Sequence, residues 1–271
     1  MTGPLAIAVG IALVLYVGTP ILIRFSVKLN ARGRIEPVDI ANMPPEVYEY
    51  FGRTAPALGA CGFGLAAYIR TPDMVPNVVS YVALWVNRTA GQMATAVAIY
   101  ASASGKTWVK CHTEFLTKVA DGMAVLTNNA TDLNSFRRVP MKDALHAEAV
   151  QVLEQLYRLH LSRESRLVPA AAPRYLPEEG QEISSFAEGC EYDIRRQAKV
   201  GYLRETQPGL YRQTWVGAYM MTWGELPPVK HIRRAFVRAR ARRELQEAMR
   251  QPVAPPRNVA ITHISPYRSP S

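Results

Sequence analysis

The chain opens with an uncharged stretch at residues 4–23, PLAIAVGIALVLYVGTPILI, around which the rest of the sequence is organised. An α-helix rises about 1.5 Å per residue, so about 20 apolar residues cross roughly 30 Å of bilayer hydrocarbon. A cleavable signal peptide carries its basic residues before the apolar run and a small-residue cleavage site after it. Here the order is reversed, because the basic residues follow the run as Arg24, Lys28, Arg32 and Arg34. The pattern predicts an uncleaved transmembrane anchor over residues 1–24, with a signal peptide and a buried core helix as the alternatives.

The same basic residues predict an orientation. Lys and Arg are retained on the cytoplasmic side of a membrane helix, and here their excess lies C-terminal to the apolar run. We therefore expect a single-pass protein whose N-terminus lies outside and whose body lies in the cytoplasm.

Composition limits what the body can be. Of 271 residues, 48% are apolar and 20% are charged, which is typical of folded protein and argues against wholesale disorder. The formal net charge of +10 predicts an anionic neighbour, either a phospholipid surface or a nucleic acid. The three cysteines are widely spaced and form no CxxC pair, so we expect neither a disulfide framework nor a zinc site. The sequence has no phosphate-cradling glycine loop and no HExxH motif, and we expect no cofactor.

The first part of the body reads as a connector followed by a sheet. Residues 25–56 form the juxtamembrane connector, and residues 57–140 form the sheet domain. Between residues 106 and 119 apolar and polar side chains alternate, which is typical of a strand with one wet face. Asp121-Gly122 is a hairpin signal that returns the chain as a partner strand. We predict an α+β fold in which an antiparallel meander of four to five strands, the first of them drawn from residues 58–69, packs with helices.

The second part, residues 141–250, reads as a helical region. Apolar residues recur at helical spacing over residues 141–164, and a second helix is predicted over residues 178–200. A short hairpin follows with its turn at Pro208-Gly209, and a basic helix spans residues 229–250. The tail over residues 251–271 lacks periodicity, so we expect it to be disordered.

The basic helix is the main candidate contact surface. Its positively charged residues outnumber Glu244 and Glu247, and we predict that they contact anionic lipid headgroups. They are Lys230, Arg233, Arg234, Arg238, Arg240, Arg242 and Arg243. The alternatives are a solvated helix face and a nucleic-acid contact. The apolar run at residues 214–223, just before this helix, is either buried core or a second, peripheral membrane contact.

Residues 192–221 resemble the recognition helix and wing of a winged-helix domain. The resemblance rests on Gly201-Tyr202-Leu203, on the turn at Pro208-Gly209 and on residues 211–217, and it covers about thirty residues. A winged helix has three closely spaced helices, whereas here a Pro/Ala-rich linker occupies the place of one of them. The resemblance implies DNA or protein binding, with Arg195, Arg196 and Lys199 as contacts.

One pair of residues could serve catalysis or metal binding. His112 and Glu114 are two residues apart on one predicted strand, so their side chains share a face. A zinc site needs at least three protein ligands, and the sequence identifies no third one. An ordinary polar pair is the simpler interpretation, and we assign no catalytic residue.

The leading hypothesis is therefore a membrane-tethered, non-enzymatic binding or scaffold protein. Its basic cytoplasmic body would contact anionic lipid or an unknown protein partner. The second hypothesis is a membrane-anchored nucleic-acid-binding regulator that uses the winged-helix-like segment. The third is an enzyme of unknown type acting through His112 and Glu114.

Overall fold

The structure, a computed structural model, describes residues 3–75, 78–103, 106–131, 139–250 and 259–267. Its helices are α1 (Gly3–Leu13), α2 (Thr19–Ser26), α3 (Pro45–Ala60), α4 (Leu153–Leu167), α5 (Glu182–Lys199), α6 (Trp215–Glu225) and α7 (Val229–Arg250). A π-helical segment, Val14–Gly18, joins α1 to α2, so the three form one continuous N-terminal helix. The strands are β1 (Lys28–Asn30), β2 (Glu36–Pro37), β3 (Gly64–Val75), β4 (Val78–Asn87), β5 (Gln92–Ala103), β6 (Lys106–Lys118), β7 (Ala124–Asn128), β8 (Lys142–His146), β9 (Arg174–Tyr175), β10 (Leu203–Gln207), β11 (Leu210–Gln213) and β12 (Ile261–Thr262).

These elements divide into two compact units. The anchor unit contains the described residues up to Arg32 together with Cys190–Phe236, and the sheet unit contains most of the remaining chain. Helices α5 and α7 each contribute residues to both units. In the anchor unit, β1 pairs with β11, and β11 pairs with β10, giving a three-stranded antiparallel sheet.

The sheet unit is built on a seven-stranded mixed sheet with the order β2-β3-β4-β5-β6-β7-β8. Strands β2 to β7 run antiparallel to their neighbours, and β8 runs parallel to β7. The predicted α+β class is confirmed, and so is the strand following Asp121-Gly122, which is β7. The predicted meander of four to five antiparallel strands is wrong in strand number and in the parallel edge. A strand that pairs in parallel with the strand before it needs a connection of about a dozen residues or more. The connection from β7 to β8 is long enough for this crossover.

The predicted helix over residues 141–164 is wrong in its first part. Lys142–His146 forms β8, and α4 begins only at Leu153. Leu145, which fitted the helical spacing, is buried as a strand residue. An apolar segment this short suits either structure locally, so its pairing with β7 decides the outcome.

Helix α3 begins inside the predicted connector, at Pro45, and continues past the connector's end at residue 56. It runs through Ala60, so the first strand after it begins at Gly64 rather than near residue 58. In the tail, where we expected disorder, Ile261–Thr262 forms β12 and pairs with β9. Residues 251–258 and 268–271 of that tail lie outside the described residues.

Helices cover both faces of the central strands. On one face, Ala83 and Trp85 of β4 belong to a core that includes Phe51 of α3 and Leu156 of α4. On the other face, Ile69, Val82 and Leu84 form a core against which Ile183 and Phe186 of α5 pack. Alternation along β4 thus sends successive side chains into two separate cores.

A buried polar network joins α4 to β6 and β7. Thr117 Oγ1 donates to Glu164 Oε2 at 2.9 Å, so it accepts from His160 Nε2, 3.0 Å away. His160 Nδ1 then accepts from Thr127 Oγ1 at 3.1 Å, and Arg163 Nη1 donates to that hydroxyl at 2.5 Å. These bonds fix His160 as the neutral Nε2–H tautomer.

The neutral state of His160 predicts a loss of stability in acid. Burial and the nearby Arg163 charge lower its pKa to about 3, whereas an unfolded histidine titrates near 6.5. Below pH 6.5 the unfolded chain therefore binds a proton that the folded chain does not, and the free energy of unfolding falls. We expect it to be about 2 kcal/mol lower at pH 5 than at pH 7 because of this residue. Urea unfolding of the full chain in detergent micelles at pH 5 and pH 7 measures this difference in unfolding free energy. His160→Gln should flatten this pH dependence, and an unchanged pH dependence in that variant would contradict the account.

Candidate membrane-contact surface

The N-terminal helix is long and apolar enough to cross a bilayer from Leu5 to Ser26. Most of its side chains are exposed, including Leu5, Ile7 and Ile11. Exposed apolar surface on this scale favours transfer out of water. A helix with the length and composition of a membrane span is therefore confirmed, and its use as an uncleaved anchor stays a prediction.

The C-terminal end of this helix is fixed in the anchor unit. Val27 caps the helix in an extended conformation, and β1 begins at the next residue. Leu29 of β1 pairs with Tyr211 of β11, and Ala31 is buried in a small core with Tyr211, Ile194 and Leu203. The N-terminal helix therefore leads directly into a folded sheet, because only Val27 separates the two elements.

Arg24 lies near the end of the helix and is nearly buried, with 8% of its surface exposed. Its guanidinium carbon lies 5.7 Å from the ring centroid of Phe25 and 5.7 Å from that of Trp215. A guanidinium at this distance over aromatic faces is attracted electrostatically by the rings. Arg24 therefore links the N-terminal helix to the start of α6.

Helix α6 is held at its first turn by Thr214. Thr214 Oγ1 accepts a hydrogen bond from Gly217 N at 3.0 Å and donates to Gly201 O at 2.7 Å. The backbone also approaches closely, since a Cβ placed on Gly217 would lie 2.1 Å from Tyr202 O. Only glycine allows this contact between α6 and the residue preceding β10.

Gly217→Ala should therefore loosen α6 in the anchor unit. The added methyl cannot be accommodated without moving backbone, and overpacking of this kind costs about 1–3 kcal/mol. We expect faster amide hydrogen exchange over residues 215–225 in the full chain in detergent micelles. Gly209→Ala is not a suitable control, because Gly209 has a positive φ of 76°. Gly52 of α3 is suitable, since a Cβ there meets nothing within 4 Å. Equal exchange in the Gly217 and Gly52 variants would contradict the tight contact.

The face of α6 that points away from the anchor unit is apolar and aromatic. Ala218 and Thr222 are buried, whereas Trp215, Val216, Met220 and Trp223 are exposed. The surface continues into the first turns of α7, where Ile232 is exposed and Phe236 is 73% exposed. One face of residues 214–223 is thus buried, as the core alternative predicted, and a membrane contact by the exposed face stays a prediction.

The seven basic residues of α7 are placed differently from one another. Lys230 pairs with Glu225 at 3.1 Å, Arg238 with Glu148 at 3.1 Å, and Arg240 with Asp143 at 2.8 Å. Arg233 Nη1 donates to Gly224 O at 3.3 Å, and Arg234 is half-buried. Arg242 and Arg243 are exposed. A role for these residues at an anionic surface stays a prediction, and Arg242 and Arg243 are the best placed for it.

Helix α7 packs on the sheet unit through small residues. Ala241 and Ala248 are buried in the core of this unit, with Leu245 partly buried between them. Ile232, Ala235, Phe236 and Ala239 are exposed.

The helix and hairpin of the winged-helix-like segment are both present. Helix α5 ends at Lys199 and the β10–β11 hairpin follows, with its turn at Gly209. Arg195 forms an ion pair with Glu191, and the Arg196 guanidinium lies 5.3 Å from the Tyr192 ring centroid. Lys199 is exposed. Nucleic-acid binding by these residues stays a prediction.

His112 and Glu114 share one face of β6, with His112 Nε2 3.3 Å from Glu114 Oε1. Asn128 Nδ2 donates to the same carboxylate at 3.3 Å. Burial raises the pKa of Glu114, but His112, Lys142 and His146 outweigh it, so the net pKa lies below the ordinary value. Among the described residues, no group of three His, Cys, Asp or Glu side chains is placed to hold a metal ion.

Comparisons with family models, with curated proteins and with solved structures found no match to this chain. A function must therefore be sought in its own residues.

Proposed function

We propose that this chain is a membrane-tethered, non-enzymatic binding or scaffold protein. The N-terminal helix holds it in the bilayer, and the sheet unit binds a protein partner. The observation that supports this best is the helix Leu5–Ser26, whose apolar side chains are exposed along almost its whole length. No soluble protein gains from displaying such a surface, because each buried CH₂ is worth about 0.8 kcal/mol.

The proposed orientation places the body in the cytoplasm. The described residues before Arg24 carry no charge, while Arg24, Lys28, Arg32 and Arg34 follow within eleven positions. Basic residues close to the end of a membrane helix are retained on the cytoplasmic side. The N-terminus therefore lies outside.

Helix α7 supplies the proposed contact with anionic lipid. Arg242 and Arg243 are exposed and no acidic partner competes for them among the contacts of the described residues. A Lys or Arg near an anionic leaflet contributes about 1 kcal/mol, and the attraction decays over roughly 10 Å in physiological salt. The other five basic residues contribute to the net charge but are partly committed to contacts within the chain.

The anchor is tested by placing a charge inside the span. Ile11→Arg puts a guanidinium on the exposed apolar helix, well inside its ends, and an arginine at the centre of a membrane helix disfavours translocon-mediated insertion by about 2.5–3.5 kcal/mol. We expect the full chain with Ile11→Arg to be extracted from membranes by alkaline carbonate. Ser26→Arg, at the last residue of the helix, should remain in the membrane. Extraction of the unaltered chain would exclude a membrane anchor.

The lipid contact is tested with a probe on α7. Ala239 is exposed, so it is a suitable labelling site. The three native cysteines are replaced by Ser, and a fluorophore is attached to Ala239→Cys. In reconstituted vesicles this fluorophore reports the surroundings of the helix. We expect acrylamide to quench it less in anionic than in neutral vesicles, and high salt to remove the difference. Arg242→Gln with Arg243→Gln should also remove it, whereas Arg53→Gln with Arg204→Gln, which neutralises two exposed residues elsewhere, should not. Identical quenching in both lipids would reject the contact.

A second candidate function is nucleic-acid binding by the anchor unit. It is favoured by the direct succession of α5 and the β10–β11 hairpin, the order in which a winged helix arranges its recognition helix and wing. If it is correct, the full chain in nanodiscs binds duplex DNA in a salt-sensitive manner. Arg195→Gln with Arg196→Gln should then abolish binding, and DNA binding that survives this change would reject the segment as the site.

A further inference from the structure

Helix α6 runs antiparallel to the C-terminal half of the N-terminal helix. At one end, the rings of Trp215 and Phe25 lie 6.0 Å apart. At the other, Trp223 Nε1 donates to Tyr16 O at 3.0 Å, and Tyr16 Oη donates to Pro227 O. Tyr16 and Phe25 are separated by about 14 Å along a helix. α6 therefore covers one side of this half, whereas Gly3–Leu13 has no such cover.

The chain turns at Pro227-Pro228, and charged residues surround this corner. Glu225 pairs with Lys230 at 3.1 Å, and Arg233 Nη1 donates to Gly224 O at 3.3 Å. The contacts of Tyr16 place the corner beside the middle of the stretch Leu5–Ser26. If the hydrocarbon extended to Ser26, these charges would lie near the bilayer centre, where charged side chains are strongly disfavoured.

A shorter embedded length removes the conflict. Residues 3–20 form a helix of about 27 Å, which spans a bilayer with a small adjustment of its thickness. The corner then lies only a few ångströms inside the hydrocarbon boundary, where Lys230 and Arg233 can extend their charged ends to the headgroups. Trp223 lies near the boundary, and Trp215 and Arg24 lie among the headgroups.

The exposed side chains of α6 suit this depth. Trp215, Val216, Met220 and Trp223 are exposed and continue the apolar surface formed by Ile21, Leu22 and Phe25 of α2. Trp and Tyr are enriched at membrane interfaces because an apolar ring and a polar edge meet both environments there. One continuous surface thus joins the membrane helix to α6.

We propose that α6 is a second membrane-contacting element, an interfacial collar that ends the hydrocarbon near Pro20 rather than at Ser26. Its occupant is the headgroup–acyl boundary of the leaflet on the body side. This rests on the proposed membrane anchoring and adds the depth at which the anchor unit is held.

Depth-dependent quenching of single tryptophans tests the proposal. The chain contains four tryptophans, Trp85, Trp108, Trp215 and Trp223. Full-length variants that keep one of them, with the others changed to Phe, are reconstituted in vesicles whose lipids carry bromine near the carbonyl end or near the terminal methyl of the acyl chain. We expect Trp223 to be quenched strongly, and more by the bromines near the carbonyl end than by those near the terminal methyl. Trp215 should be quenched less than Trp223, and exposed Trp108 should not be quenched.

Two results would overturn the proposal. If Trp215 and Trp223 are quenched no more than Trp108, the α6 surface faces water or a protein partner. If terminal-methyl bromines quench Trp223 most, the corner lies near the bilayer centre. Flotation of the same vesicles distinguishes a failure of this proposal from a failure of the proposed membrane anchoring. A chain that does not float with the vesicles is not anchored in them. Should a Phe variant fail to fold, the unsubstituted chain with 5-fluorotryptophan decides the matter, since a spin-labelled lipid should broaden two of its four fluorine resonances.

Discussion

Replacing Arg163 with alanine is expected to lower the free energy of unfolding of the sheet unit by about 3–5 kcal/mol. The Arg163 side chain is fully buried. It pairs with Asp143 of β8 and with Glu244 of α7 at 3.0 Å, and it donates to Leu126 O at 2.5 Å. Removing it leaves two carboxylates and a carbonyl oxygen that have lost a charged donor, which is more damaging than the loss of one surface contact.

Arg166 provides the matched control for this prediction. It also lies on α4 and also pairs with Glu244, at 2.9 Å, but 46% of its side chain is exposed. Ion pairs this open to water contribute about 0–1 kcal/mol, so Arg166→Ala should have little effect. Urea unfolding of both full-length variants in detergent micelles gives the comparison. A loss of less than 1 kcal/mol for Arg163→Ala would show that the buried network contributes little to stability.

Replacing Phe115 with alanine should destabilise the sheet unit by a similar amount, about 3–5 kcal/mol. Phe115 of β6 is fully buried. Its ring centroid lies 5.1 Å from that of Tyr157, 5.5 Å from that of Phe63 and 6.0 Å from that of His160. The cavity would open beside the hydrogen-bonded His160, so the surrounding strands and α4 cannot collapse into it without breaking that network.

Phe236→Ala is the corresponding control, because Phe236 is 73% exposed and fills no core. We expect its unfolding free energy to stay within about 0.5 kcal/mol of the unaltered chain in detergent micelles. Comparable losses from Phe115→Ala and Phe236→Ala would contradict the description of the core.

Strong local signals predicted much of the fold. Helix α7 occupies Val229–Arg250, the range predicted for the basic helix. The β10–β11 hairpin turns at Pro208-Gly209, where Gly209 adopts a positive φ, and β7 follows the Asp121-Gly122 turn. These elements are specified by neighbouring residues, so a single sequence is enough to find them.

Features that depend on distant pairing were missed. Strand β8 carries the same short apolar pattern as the start of a helix, and only its partner β7 distinguishes the two. His160, Arg163 and Glu164 lie three and four residues apart on one face of α4. That spacing could have indicated a buried polar row, but its partners Thr117 and Thr127 come from two other strands.

The sequence indicates the two parts of the candidate membrane-contact surface but not the contact between them. The apolar opening and the Trp-rich run at residues 214–223 both stood out in the sequence. Their contact joins Tyr16 to Trp223 across about two hundred residues of chain, and no local pattern predicts a contact at that separation. The charge on α7 was likewise visible, whereas the ion pairs of Arg238 and Arg240 depend on Glu148 and Asp143, which lie far away in sequence.

The central claim is that the N-terminal helix crosses the bilayer and leaves the body on the cytoplasmic side. A membrane-impermeant maleimide tests it directly in sealed right-side-out vesicles that contain the full chain. Cys111 is exposed in the sheet unit, and Gly3→Cys places a thiol at the opposite end of the helix, with Cys61 and Cys190 changed to Ser. We expect the thiol at position 3 to be labelled in intact vesicles and Cys111 only after permeabilisation. Labelling of Cys111 in intact vesicles would contradict the claim.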